Sequence, residues 1–291
     1  MGGHCKRQGW STARLTGIAA LCTASIAVTS DAWIEIANTA WRDQEASHIL
    51  LVPIVTGWLA WVRRRRLRAI RPEFSYLGAL VTMLGGVMYS LGDTYLFESV
   101  WQTGAIVALI GCVLTTTGRQ LLISFAPAFL SLLFLVPVPG IVRQQIAMPL
   151  QTVTAIVSQQ LLELFGCDVQ RAGNTLAING TLVQIAEACN GLRMVFALAL
   201  VSFAFSFGNP LRNGVRLLVL LATPVSAVLC NVVRLVPTVW VYGRHPGAWA
   251  VWFHDISAWA MLLVSFLALL GIVRTLRWAL FPVARFTLAY D

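Results

Sequence analysis

Charge is what this chain has least of. Asp, Glu, Lys and Arg make up 11% of its residues and hydrophobic side chains 58%, with a mean hydropathy of +0.75. A soluble globular domain carries about 25% charged residues, so that class is excluded and an integral membrane protein with several spans takes its place. Acids are the scarcer sign, 12 against 21 basic residues, and most fall between the apolar runs. The net charge of +9 follows the ends of those runs rather than forming a nucleic-acid-binding surface, so no nucleic-acid partner is expected. The six cysteines include no CxxC pair, and Cys22, Cys112 and Cys230 sit inside apolar runs, so neither a metal site nor a secreted disulfide framework is expected. No cofactor is expected either. No small-x-small cleavage site follows the first apolar run, so the run behind Lys6, Arg7 and Arg14 reads as a retained span and not as a signal peptide. Internal repeats and paired broken helices, which mark many secondary transporters, are not detectable.

What is present is a series of apolar stretches of about 17 to 25 residues. Eight are predicted as transmembrane helices, at 15–31, 47–62, 74–92, 99–118, 120–138, 192–208, 217–242 and 256–276. The cytoplasmic bias of Lys and Arg orients them. With both termini cytoplasmic, the inner segments collect Lys6, Arg7, Arg14, the Arg63–Arg71 cluster, Arg119, Arg212, Arg216, Arg274, Arg277 and Arg285, against Glu73 and Asp291 as inner acids. The opposite orientation exports the Arg63–Arg71 cluster. The expected architecture is an all-α integral membrane protein, one polytopic domain over residues 1–291, with 11 Trp and 14 Phe available for interfacial belts.

The segment 138–191, between the fifth and sixth spans, departs from simple spans. Ile146, Leu150, Val153, Val157, Leu161 and Leu164 recur at helical intervals among glutamines and threonines, which predicts an amphipathic helix over Ile141–Phe165 on the outer surface, ended by Gly166. Asn179-Gly180 then separates two short β-prone runs, Leu176–Ile178 and Thr181–Ile185, the pattern of a two-residue β-hairpin. Exposed to hydrocarbon, a hairpin leaves backbone groups unpaired, so it belongs at the surface or under protein. It serves either as a solvated connection or as an edge that binds an extended peptide.

That hairpin delivers the chain to Glu187-Ala188-Cys189-Asn190-Gly191-Leu192-Arg193. A thiol at the first turn of a helix sits where the helix dipole favours the nucleophilic thiolate; a buried structural cysteine, or a disulfide with Cys167 on the same outer face, is the competing reading. Arg234 lies inside the seventh span, three residues after Asn231, on one helix face. A cation at that depth either pairs structurally or snorkels, or it serves an anion at the outer membrane face. His254, followed by Asp255, is expected at the end of the last outer loop. A nucleophile, a cation and a titratable base thus reach one membrane side from three segments, the set that acyl transfer requires. His48 at the outer start of the second span is a candidate supporting or substrate-contacting group, and Arg193 a candidate aid to the thiolate.

These blocks resemble the exosortase/archaeosortase family of membrane cysteine transpeptidases: Ser47-His48 with Leu51-Val52-Pro53, Trp61 and the Arg cluster; Pro137-Val138-Pro139; Gly173-Asn174; Ala188 to Arg193; Asn231 to Arg234; and His254-Asp255. The chain departs from the family's pattern at Asn190, where Ser is common, and at Ile49, where Gly commonly follows the His. The resemblance implies Cys189 as nucleophile, Arg234 as the group that binds substrate carboxylate or transition-state charge, and His254 as general acid/base. It implies cleavage, through a thioester acyl-enzyme, of the C-terminal membrane-anchored sorting signals of exported proteins. The setting would be the outer face of a bacterial inner membrane, in organisms that often export polysaccharide, with membrane lipid around the site and transfer to an unidentified amine or to water. The competing expectation from the residues alone is a transporter or flippase for a lipid-linked polysaccharide intermediate, with Arg234 as its anion site.

Overall fold

A computed structural model of the chain describes residues 10–178, 181–184, 191–244 and 247–278. It resolves into two compact units, Met1–Pro139 and Gly140–Asp291. In the first, the regular structure among the described residues is helical: α1 (Thr12–Val28), α2 (Ser30–Arg42), α3 (Val52–Val62), α4 (Tyr76–Thr94), α5 (Glu98–Thr117) and α6 (Arg119–Ser131), with short 3-10 turns at Gln44–Leu51, Arg64–Arg68 and Leu132–Leu135. Ser11 caps α1 by accepting from the Arg14 backbone N–H, which satisfies one of the donors that a helix start leaves unpaired. A 74° bend at Thr29 then separates α1 from α2. Trp10 Nε1 donates to the Leu67 carbonyl at 3.0 Å, and Arg14 donates to the carbonyl of Pro72. Gly118, at φ +82°, comes close to Glu73. The start of α1, the Arg63–Arg71 turn and the α5–α6 junction therefore gather at one end of this unit, the grouping that the positive charges predict.

α4 and α5 pair through glycine. Gly78, Gly85 and Gly92 recur every seventh residue on α4 and are its buried positions. A Cβ on Gly85 would lie 2.3 Å from the Ala108 backbone nitrogen, and one on Gly104 of α5 2.3 Å from that of Tyr89. The two backbones touch, as small residues allow between helices in lipid. On α4, Leu80, Met83, Leu84, Val87 and Leu91 remain exposed, as lipid-facing side chains would. Gly86, next to Gly85, has open space around it. Gly85→Ala should therefore destabilise the purified protein by about 1–3 kcal/mol, the cost of overpacking. Gly86→Ala should be neutral or stabilising by up to about 1 kcal/mol through its gain in helix propensity; thermal unfolding in detergent compares the two.

The second unit holds α7 (Gly140–Leu164), β1 (Val169–Ala172), β2 (Thr175–Ile178), β3 (Thr181–Gln184), α8 (Gly191–Gly208), α9 (Asn213–Arg244) and α10 (Ala248–Trp278). α7 closes as its sequence predicts. Gly166 at φ +77° donates to the Glu163 carbonyl at 2.9 Å and Cys167 N–H to that of Leu162 at 3.0 Å, the pairing of a glycine-terminated helix. Its buried face is Thr154, Ala155, Ser158 and Leu162. The apolar stripe read from the sequence lies beside that face: Ile146, Val153 and Leu164 are exposed, while Leu150, Val157 and Leu161 are half-buried. Three of the four buried residues are small, as close packing between helices in lipid favours.

The predicted hairpin is part of a three-stranded antiparallel sheet in the order β1-β2-β3, with Leu176 opposite Arg171 on one side and Val183 on the other. Its Asn179-Gly180 turn lies outside the described residues. β1 escaped the sequence reading because it buries only Val169, while Gln170, Arg171 and Ala172 are exposed. Val169, Leu176 and Ile178 share a core with Ala155 and Leu162 of α7 and Leu235 and Val239 of α9. A Cβ on Gly243 would meet Ile178 Cγ2 at 2.7 Å, so α9 lies directly on the sheet.

Each of the eight predicted spans coincides with helix, but the count of eight is not established. By length and apolar content, three helical stretches among the described residues can cross a membrane, Glu45–Val62, Glu98–Thr117 and Asn213–Arg244, or up to five when helix pairs separated by a short break are each taken as one span.

Candidate active site

α9 carries the most unusual side chain of the second unit. Arg234 is 4% exposed, ten residues and about 15 Å of helix from the Arg244 end. It is enclosed by protein and does not snorkel. Its Nη2 donates to Asn231 Oδ1 at 3.1 Å, and its Nε is buried with no hydrogen-bond partner. The i, i+3 spacing puts both groups on one face. Thr238, one turn on and missed by the sequence reading, donates from Oγ1 to the Arg234 carbonyl at 2.8 Å; an i+4 threonine in an otherwise apolar run was the available signal. Leu235 and Val239, the neighbouring turns, are buried in the core beneath the sheet. The arginine is thus held on a packed helix, paired among the described residues only with a neutral amide. An unpaired donor buried in this way costs about 1–3 kcal/mol, and a buried guanidinium without an acid costs several more. Among the described residues, an anion is the group that this site lacks.

Two shared clusters fix how α8 and α10 lie along α9. Leu198, Ala227 and Phe266 meet at one level; Phe205, Val219 and Val273 meet at another, seven residues away on α8 and α10 and eight on α9. α9 therefore runs antiparallel to both. Seven further residues, about 10.5 Å, bring α8 to Gly191, α9 to Arg234 and α10 to Trp259. His254 is five residues beyond Trp259, about 7.5 Å. At the other end Arg216 ties α8 to α9, donating from Nε to the Ser206 carbonyl at 3.0 Å with its guanidinium 5.4 Å from the Phe207 ring centre.

The expected site residues are thus placed as follows. Cys189 lies outside the described residues; the chain resumes at Gly191, level with Arg234. Asn231 is buried against Arg234, and Arg193 is half-buried in the first turn of α8. His254 and Asp255 occupy backbone positions inside α10, which begins at Ala248, so the expectation that His254 ends a loop is corrected. The aromatic run before it continues the helix, with Trp249 and Trp252 stacked at 4.9 Å. His48 belongs to the first unit, where it is buried in a 3-10 turn and its Nδ1 hydrogen-bonds the Glu45 carbonyl at 3.1 Å. Cys167 packs against the core beneath the sheet and has no disulfide partner among the described residues. Among the described residues no group of three or more His, Cys, Asp or Glu is placed to hold a metal ion.

Compared with known families, residues 40–271 match the model described as transmembrane exosortase (Exosortase_EpsH). No curated protein and no solved structure matches the chain.

Proposed function

Because the chain belongs to the transmembrane exosortase family, we propose that it is a membrane cysteine transpeptidase or protease acting on the C-terminal sorting signals of exported proteins at the outer face of the inner membrane. The observation that carries this reading is Arg234, a buried cation with a spare donor and no acidic partner among the described residues. In the proposed reaction the Cys189 thiolate attacks the carbonyl of the scissile peptide bond. Arg234 stabilises the oxyanion, or binds a substrate carboxylate, in a site shielded from water. The C–N bond breaks as the thioester forms, and protonated His254 gives its proton to the leaving amine. An amine acceptor, or water, then attacks the thioester and regenerates the thiolate, with neutral His254 taking the proton back. Asn231 orients the guanidinium; Arg193 and Asp255 are supporting groups.

The thioester is the part most open to test. The purified protein is incubated with an exported protein that ends in a membrane helix and a basic tail. Mass spectrometry should then find the substrate's amino-terminal fragment on Cys189, discharged by hydroxylamine. Processing without such an adduct removes the thioester step, and no processing of any such substrate removes the enzyme.

A further inference from the structure

Among the described residues β3 is an edge strand. In the order β1-β2-β3 its inner side pairs with β2, Thr181 opposite Ile178 and Gln184 opposite Thr175. Among the described residues no strand pairs with its outer side. A strand edge presents unpaired N–H and C=O groups, a template for another extended chain. The other edge is held differently: beside β1, Arg171 Nε donates to Gln159 Oε1 of α7 at 3.2 Å and Asn174 Nδ2 to Gln151 Oε1 at 3.2 Å. Leu182, on the face away from the core, is 73% exposed, an apolar side chain left uncovered beside that outer edge. β3 ends at Gln184, five residues before Cys189, and five extended residues span at most about 17 Å. The sheet is fixed to α9, the helix of Arg234, through Ile178, Leu235 and Val239.

From this placement we infer that the outer edge of β3 is the substrate-docking rail: an extended stretch of the exported protein, next to its own membrane helix, adds to the sheet as a fourth strand alongside β3, whose chain leads to Cys189 five residues later. The inference rests on the peptidase reading above. Main-chain pairing supplies affinity with little dependence on side chains, and the exposed face of Leu182 meets alternate side chains of the docked segment. Docking by an edge differs from docking in a side-chain pocket in one respect. Successive amides of a docked strand point alternately toward and away from the edge, so sensitivity to the peptide backbone has a period of two.

Backbone methylation reads that period. The parent probe is a synthetic peptide covering the segment immediately before the carboxy-terminal membrane helix of an exported protein that the wild-type enzyme processes. A series carries one N-methyl group at each successive amide. Binding is measured to the full-length Cys189→Ala protein in detergent, so that cleavage does not intervene. Docking on β3 predicts losses of roughly tenfold at alternate amides, with changes under about twofold between them, since each methyl removes one ladder hydrogen bond and blocks the approach. Uniform tolerance, uniform loss or a contiguous block of sensitive positions overturns the rail while leaving the peptidase intact. If wild-type enzyme processes no such exported protein, the peptidase reading fails and the rail with it. On the protein side, Leu182→Lys should change the preference for side chains at alternate peptide positions and leave the methylation pattern in place.

Discussion

Cys189→Ala is expected to abolish processing, with a loss on the order of ten-thousandfold or more, because removing the nucleophile of a covalent mechanism removes the pathway and not one contact within it. The substitution deletes one sulfur atom and should leave insertion and abundance unchanged. The measurement is the ratio of precursor to processed substrate in cells, with the amount of the variant in the membrane fraction as its control. Cys189→Ser should behave almost as poorly, since a serine hydroxyl is far less ionised than a thiol at neutral pH and a much weaker nucleophile without a base tuned to it. Normal processing by the alanine variant ends the peptidase reading and returns the transporter or flippase alternative, in which the thiol is dispensable and Arg234 is not.

Arg234 should show a dissociation between stability and activity. Replaced by methionine, which keeps much of the volume, it should lower kcat by about a hundred- to a thousandfold, the range measured for loss of one oxyanion donor. Stability should move by no more than about 1–2 kcal/mol. Removing a buried cation relieves its desolvation, and that gain offsets the Asn231 amide left without its 3.1 Å partner. Arg234→Lys should rescue little, because an ammonium does not reproduce the planar fork that reaches Asn231 with one nitrogen and leaves Nε for a ligand. The two measurements are substrate turnover and thermal unfolding of the same preparations. A purely structural arginine gives the reverse result: a destabilisation of about 3–5 kcal/mol, with residual activity that follows the folded fraction.

Local features of this protein were readable where a single period or turn dominates. Gly166 ends α7 as expected because a left-handed residue there needs no partner from elsewhere. Asn179-Gly180 announced β2 and β3, whose alternation places Leu176 and Ile178 on one buried face. β1 carried no such alternation and was missed. Its position comes from pairing with β2, a contact that four residues with one inward side chain do not encode on their own. The α7 stripe was visible as apolar periodicity. Its direction was not, because the buried face is set by the packing of Thr154, Ala155, Ser158 and Leu162, beside the stripe rather than along it.

The sequence by itself determined that this is a membrane protein, and it carries an expectation of which ends of its apolar runs share a side and which three residue types chemistry would want there. Composition settles the membrane class because hydrocarbon rejects charge wherever it falls along the chain; the positive-inside bias supplies the expectation of sides. Tertiary structure decided three other matters. Two shared clusters along α8, α9 and α10 put Gly191 level with Arg234 and His254 within two turns of it. Packing turned Arg234 from a cation at an assumed depth into a buried one with a spare donor. The sheet order left β3 as an edge five residues from Cys189. Each depends on which helix or strand lies beside which, and that is set by the fit of side chains from distant segments, not by any local pattern.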